Sequence, residues 1–139
     1  MPPRLPSYDD LVGALHAQDP AAEPAPDVER VTAQLARAVA AAADPDRGAL
    51  RLVCRVLAQR LAARAPGRTV ELRVPPYAAV QCVAGPRHTR GTPPNVVEAQ
   101  PLAWVRLATG DLAWAAAVRD GRVSASGERS DLSAHLPLL

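Results

Sequence analysis

Residues 101–127 read PLAWVRLATGDLAWAAAVRDGRVSASG, and this stretch decides the fold class. Trp104 and Leu107 lie three apart before Gly110, and Trp114 and Val118 lie four apart before Gly121. That is the spacing of short helices that stop at a glycine. Val123 and Ala125 then alternate with Ser124 and Ser126 before Gly127, which is the period of a strand. The order helix, helix, strand places a mixed architecture at this end of the chain.

Working upstream, Val70, Leu72 and Val74 alternate with Glu71 and Arg73, which predicts a half-buried strand. Pro75 and Pro76 interrupt it and residues 77–83 resume as a second strand, so the proline pair belongs at an edge, a bulge or a connection. Residues 85–95, GPRHTRGTPPN, hold three prolines and two glycines and predict an irregular loop before a short third strand at 96–99. Downstream, Ser130 and Asp131 offer caps for a final helix reaching His135.

The first half of the chain is helical. Ser7 and Asp10 form an S-x-x-D start for a helix through about Ala17, with Leu11, Leu15 and Tyr8 on one face and Gly13 weakening it. Residues 19–26, DPAAEPAP, form a proline-rich linker, so residues 1–26 are expected to pack loosely beside a domain at 27–139. Asp27 caps a helix whose Val28, Val31, Leu35 and Val39 share a face as far as about Ala43.

Asp44 and Pro45 then start a long helix that stops near Ala65, ahead of Pro66 and Gly67. In it Leu50, Val53, Cys54, Leu57 and Leu61 form one apolar face, and Leu52 and Val56 fall on the opposite side. A helix apolar on two sides is central to its domain, or it shields a cavity on one side and another helix on the other. Arg51, Arg55, Arg60 and Arg64 flank the stripe; they read as stems lying over apolar surface or as a phosphate-binding row, and their diverging angles favour the former.

Composition narrows the class. A chain of 139 residues has the length of one domain with one real core. There is no Phe, Ile or Lys, so Ala, Val, Leu and Arg carry the packing and the positive charge. The net charge of +2 is interspersed and aromatics are only 3%, which argues against a nucleic-acid interface built on a basic stripe with interleaved rings. Residues 1–6 hold three prolines and no apolar run follows them, so no signal peptide is expected. The longest apolar run, residues 112–118, falls far short of the ~20 residues of a bilayer span. Two cysteines, Cys54 and Cys82, are too few for a disulfide framework, and a cytoplasmic location is expected.

Few residues suggest chemistry. His16, His88 and His135 have no ligand partner at metal spacing on a shared element, and the common nucleophile, phosphate-loop and dinucleotide motifs are absent. We expect neither a metal nor a cofactor. Cys54 and Cys82 sit at core positions and read as small apolar residues, with a reactive thiol as the alternative. Arg87, His88 and Arg90 gather in the proline-rich loop, where they suit a carboxylate or phosphate or else a solvated loop paired with nearby acids. Trp104 and Trp114 are core anchors, pocket walls or both.

The segments VELRVPPYAAVQCV, GPRHTRGTPPNVVE, LAWVRLATGDLAW and GRVSASGERSDLSAHLPLL together resemble the small bacterial orthologue group of sterol carrier proteins. The resemblance implies an α/β (α+β) sandwich: a mostly antiparallel five-stranded sheet covered by helices, with an apolar tunnel between them. The fifth strand would come from residues 85–95 or from a split of 77–83. A peroxisomal Ser-Lys-Leu ending is not present, so peroxisomal trafficking and cholesterol transfer are not carried over.

The expected function is a non-enzymatic cytoplasmic carrier of a lipid or fatty-acyl molecule. Leu57, Leu61, Trp104, Leu107, Trp114 and Val118 would contact the apolar part, and Arg87, His88 and Arg90 would hold an acidic head. The alternative is a protein-interaction or regulatory module whose carrier-like cavity has filled, exposing an apolar patch near Tyr77 or residues 136–139. Thiol chemistry at Cys54 or Cys82 ranks third.

Overall fold

The computed structural model describes residues 4–85 and 95–139. Three helices come first: α1 (Tyr8–Gln18), α2 (Val28–Ala41) and α3 (Arg47–Arg64). Strands β1 (Val70–Val74), β2 (Ala78–Cys82) and β3 (Asn95–Ala99) follow, then α4 (Pro101–Thr109), α5 (Trp114–Arg119), β4 (Val123–Ser126) and a 3-10 turn at Ser133–His135.

The strands make one sheet in the order β2-β1-β3-β4. β1 is antiparallel to β2 and parallel to β3, and β3 is antiparallel to β4. Leu72 lies opposite both Val80 and Val97, and Ala99 lies opposite Val123, so one face of the sheet is continuously apolar. Val70, Leu72, Val74, Val97, Ala99 and Val123 are buried on that face, and Glu98 and Ser124 on the other are exposed. Helices cover the apolar face, with α3 at the centre, in contact with α1, α2, α4 and β2.

Local sequence explains the helix ends. In α1 the Ser7 hydroxyl accepts from the Asp10 N–H and the Asp10 carboxylate accepts from the Ser7 N–H, a complete capping box. Asp27 caps α2 through the Arg30 N–H. Gly110 closes α4 at φ 86°, a left-handed conformation for which glycine is suited. The proline pair at 75–76 falls in the connection between β1 and β2, where the Tyr77 N–H donates to the Val74 carbonyl at 2.8 Å.

Four sequence expectations need correction. Four strands, not five, occur among the described residues: residues 77–83 do not split, and residues 86–94 lie outside the described residues. The first segment is not loosely packed, since Leu11 and Leu15 are each 1% exposed and belong to the core with α2 and α3 residues. A Cβ at Gly13 would meet open space, so packing does not require glycine there. The cap of α3 is Asp46, whose carboxylate accepts from the Ala49 N–H at 2.9 Å, so the helix starts after Pro45 rather than with it. The final helix shrinks to a 3-10 turn, because the Ser130 hydroxyl donates to the Gly127 carbonyl and only Asp131 is left to accept, from the Ser133 N–H.

Candidate functional site: a groove on the outer side of α3

α3 and β2 lie side by side and are pinned at both ends. At one end the Arg55 Nε–H donates to the Tyr77 carbonyl at 3.1 Å. At the other, Val83 adopts φ 67° and its N–H donates to the Ala65 carbonyl at 2.6 Å, while its own carbonyl accepts from the Thr69 N–H at 3.1 Å. Between these pins the two elements stay in contact, and their outer surfaces form one side of a depression completed by the N-terminal segment. A groove of about 1300 Å³ opens there, larger than the few hundred to ~1000 Å³ usual for small-molecule pockets.

The floor of the groove is the second apolar side of α3. Leu52, Val56, Gln59 and Ala63 recur at four-, three- and four-residue steps and face it, with Arg55 and Arg60 at its margins. From Leu52 to Ala63 the helix rises about 16 Å, which sets the length of the floor. One wall is β2, an outer strand of the sheet, represented by residues 77–81. The other wall comes from Arg4, Leu5 and Pro6, from Asp10 and Leu11 of α1, and from Val28, Glu29 and Thr32 in the first turns of α2. Leu5 and Val28 are 64% and 48% exposed, so two of the three large apolar residues most open to solvent border this one groove.

Charge is distributed unevenly around it. Arg60 pairs with Glu29 at 3.5 Å. Asp10 is held below the usual carboxylate range by its hydrogen bonds to the Ser7 N–H and hydroxyl, with Arg4 nearby adding to the effect. Both carboxylates therefore belong to the helical wall, and residues 77–81 contribute none.

The residues singled out from sequence fall elsewhere. Leu57 and Leu61 sit on the inner side of α3 with no exposure, and Trp104 and Leu107 on α4 are 1% and 2% exposed. These four come together in the core, where the Trp104 indole N–H donates to the Cys54 carbonyl at 3.3 Å. Trp114 on α5 is half-buried against the same core, and Val118 is 40% exposed. None of the six lines the groove. Arg87, His88 and Arg90 lie outside the described residues. Leu52 and Val56 carried a legible signal as the second apolar side of their helix; the alanines and glutamines around them carried none.

The thiols are embedded. Cys54 donates to the Pro101 carbonyl at 3.5 Å and burial pushes its pKa up to about 12, while burial raises that of Cys82 to about 11. A thiol held protonated is a poor nucleophile. Among the described residues no group of three or more His, Cys, Asp and Glu side chains stands ready to hold a metal ion. No helix among them is long and apolar enough to cross a membrane.

Small-molecule sites as a class are concave and mostly apolar with a few polar groups, and this groove shares those features. A family model described as the bacterial SCP ortholog, SCP denoting sterol carrier protein, matches residues 46–138, two-thirds of the chain. The chain belongs to this bacterial sterol carrier protein orthologue family, and such membership points to lipid carriage at the level of the family. A search of curated proteins finds no match. The matched segment supplies α3 and β2, and the helical wall of the groove, residues 4–32, lies outside it.

Proposed function

We propose that the protein is a non-enzymatic cytoplasmic carrier that holds a lipid or fatty-acyl chain in the groove between α3 and β2. The observation that carries this reading is the outer side of α3, where half-buried Leu52, exposed Ala63 and the largely buried Val56 line a groove of about 1300 Å³. Such surface gains stability only when something apolar covers it. Burying ~10 methylenes there contributes about 8 kcal/mol before ordering costs, enough for micromolar binding with no catalytic group and no cofactor. The ligand lies at the edge of the sheet, against Leu52, Val56, Ala63 and Val80, while Trp104, Leu57, Leu61 and Leu107 serve as packing.

The test is native mass spectrometry of the purified protein, lipid extraction, and titration with a fluorescent fatty-acyl probe. Ala63→Trp fills the floor at an exposed position. Co-purified lipid, micromolar probe binding, and at least a tenfold loss in Ala63→Trp with an unchanged melting temperature are expected. A ligand-free protein that leaves the probe unbound would refute the reading.

A second reading, a protein-interaction module, draws on β2 being an outer strand beside the same groove, where an extended segment can add to the sheet. It predicts no lipid in the extract and recovery of a peptide or protein with the purified chain.

A further inference from the structure

The arginines of α3 divide into two groups. The helix carries Arg47, Arg51, Arg55, Arg60 and Arg64 and no acidic residue. Arg60 is paired with Glu29 and Arg64 donates to the Leu138 carbonyl at 3.0 Å. Arg47, Arg51 and Arg55 form no ion pair. All 14 acidic residues of the chain lie within the described residues, so no carboxylate neutralises these three.

The three recur at four-residue steps, and each step turns about 40° around the helix. The stripe therefore slants, and at Arg55 it enters the groove. Arg55 spends its Nε–H on the Tyr77 carbonyl, which fixes the plane of the guanidinium and leaves both terminal nitrogens as donors. Gln59, one turn further along the same face, and the half-buried Tyr77 stand beside the same end of the groove. Neither their side-chain amide nor their hydroxyl makes a hydrogen bond among the described residues. The far end is apolar and small, with Ala62 and Ala63 on the helix. Of the three arginines lining the groove, Arg60 is paired with Glu29 and Arg4 stands on the helical wall near Asp10, which leaves Arg55 as the cation of the α3 and β2 side, with Arg51 one turn before it raising the potential there.

We infer that the ligand is an acid-headed amphiphile, a carboxylate or phosphate on a single alkyl chain, whose head is gripped by Arg55 and whose tail runs along Leu52, Val56 and Ala63. The inference rests on the carrier reading and deepens it. An oxyanion matches the paired terminal N–H groups of arginine, and a neutral hydroxyl head does not. The groove discriminates by charge at one end and accepts any chain that fits its floor.

The experiment compares three probes of one chain length, palmitate, hexadecyl phosphate and hexadecanol, with vesicles of phosphatidylglycerol as a fourth arm. Wild type, Arg55→Ala and Arg55→Lys are titrated at low and at 0.5 M salt. Wild type is expected to bind palmitate and hexadecyl phosphate about 10- to 100-fold more tightly than hexadecanol. Arg55→Ala should remove that preference while keeping its hexadecanol affinity, with a melting temperature lowered by no more than the loss of the single exposed hydrogen bond to Tyr77, and Arg55→Lys should recover part of the preference. Stronger binding of palmitate than of hexadecyl phosphate assigns the head as a carboxylate, and the reverse order as a phosphate.

Equal binding of hexadecanol and palmitate by the wild type overturns the acid-head inference and leaves the carrier reading standing. A preference that survives in Arg55→Ala overturns the assignment to Arg55. Binding to the vesicles alone, with no affinity for any single-chain probe, overturns both this inference and the carrier reading.

Discussion

Trp104 is the residue at which the proposed division between packing and ligand binding is tested most sharply. Its ring is 1% exposed in the core and its indole N–H donates to the Cys54 carbonyl inside α3. Truncation to Ala opens a cavity that the surrounding Val, Leu and Ala side chains close only in part, at a cost of about 3–5 kcal/mol. A domain of this size is stable by only about 5–15 kcal/mol, so Trp104→Ala stands near unfolding and is a poor subject for a binding assay. Trp104→Phe is better suited, since it keeps an aromatic ring and loses the smaller ring and the hydrogen bond, about 1–2 kcal/mol together. With a urea dependence of about 1–3 kcal/mol per molar, the unfolding midpoint should fall by roughly 0.3–2 M. Urea titration followed by far-ultraviolet circular dichroism reads this shift, and palmitate titration of the same preparation should give an affinity within twofold of wild type. A midpoint that does not move, with affinity down tenfold, would show Trp104 to be a wall of the binding site and would refute the assignment of the groove to the outer side of α3.

Three further outcomes are expected. Because burial raises Cys54 to about 12 and Cys82 to about 11, iodoacetamide should label neither thiol in the folded protein at pH 7.5 and both in urea; fast labelling of the native chain would contradict the burial. The sign for stability follows: thiols whose folded values are raised favour the folded state fully below the unfolded range near 9, and that stability is lost as pH rises through the folded values, so alkaline melting should shift downward in wild type more than in Cys54→Ala. Gly67 stands at φ 150° and a Cβ added there would run into the Val83 carbonyl, so Gly67→Ala meets both backbone strain and a clash and should cost more than about 1 kcal/mol in thermal unfolding; an unchanged melting temperature would rule out that clash.

Much of the element order was legible because caps and periods are local. Ser7 with Asp10, the alternation at 70–74, and the glycine after Thr109 are each read within a few residues, and each falls where expected. Asp44 competed with Asp46 as a cap, and only the geometry of the Ala49 N–H decides between them. The candidate site was less legible for a physical reason. Apolar residues at helical spacing are equally suited to a core and to a pocket, so Leu57, Leu61, Trp104 and Leu107 looked like ligand contacts and Leu52 and Val56 looked like surface in want of cover. The groove is built from four separate stretches of chain that meet only on folding, and several of its members are alanines with no pattern of their own. Arg55 stood out from Arg60 only once Glu29 was seen to take the latter.

The helix at the centre of this molecule acts as a partition. One row of its side chains, with Val53, Leu57 and Leu61, is sealed in the core, and the opposite row includes the half-buried Leu52 and Gln59 and the exposed Ala63, so on the carrier reading substitutions at these three retune cargo while the inner row holds the architecture constant. On the carrier reading, selection on what is carried and selection on whether the chain folds operate on different residues of a single element.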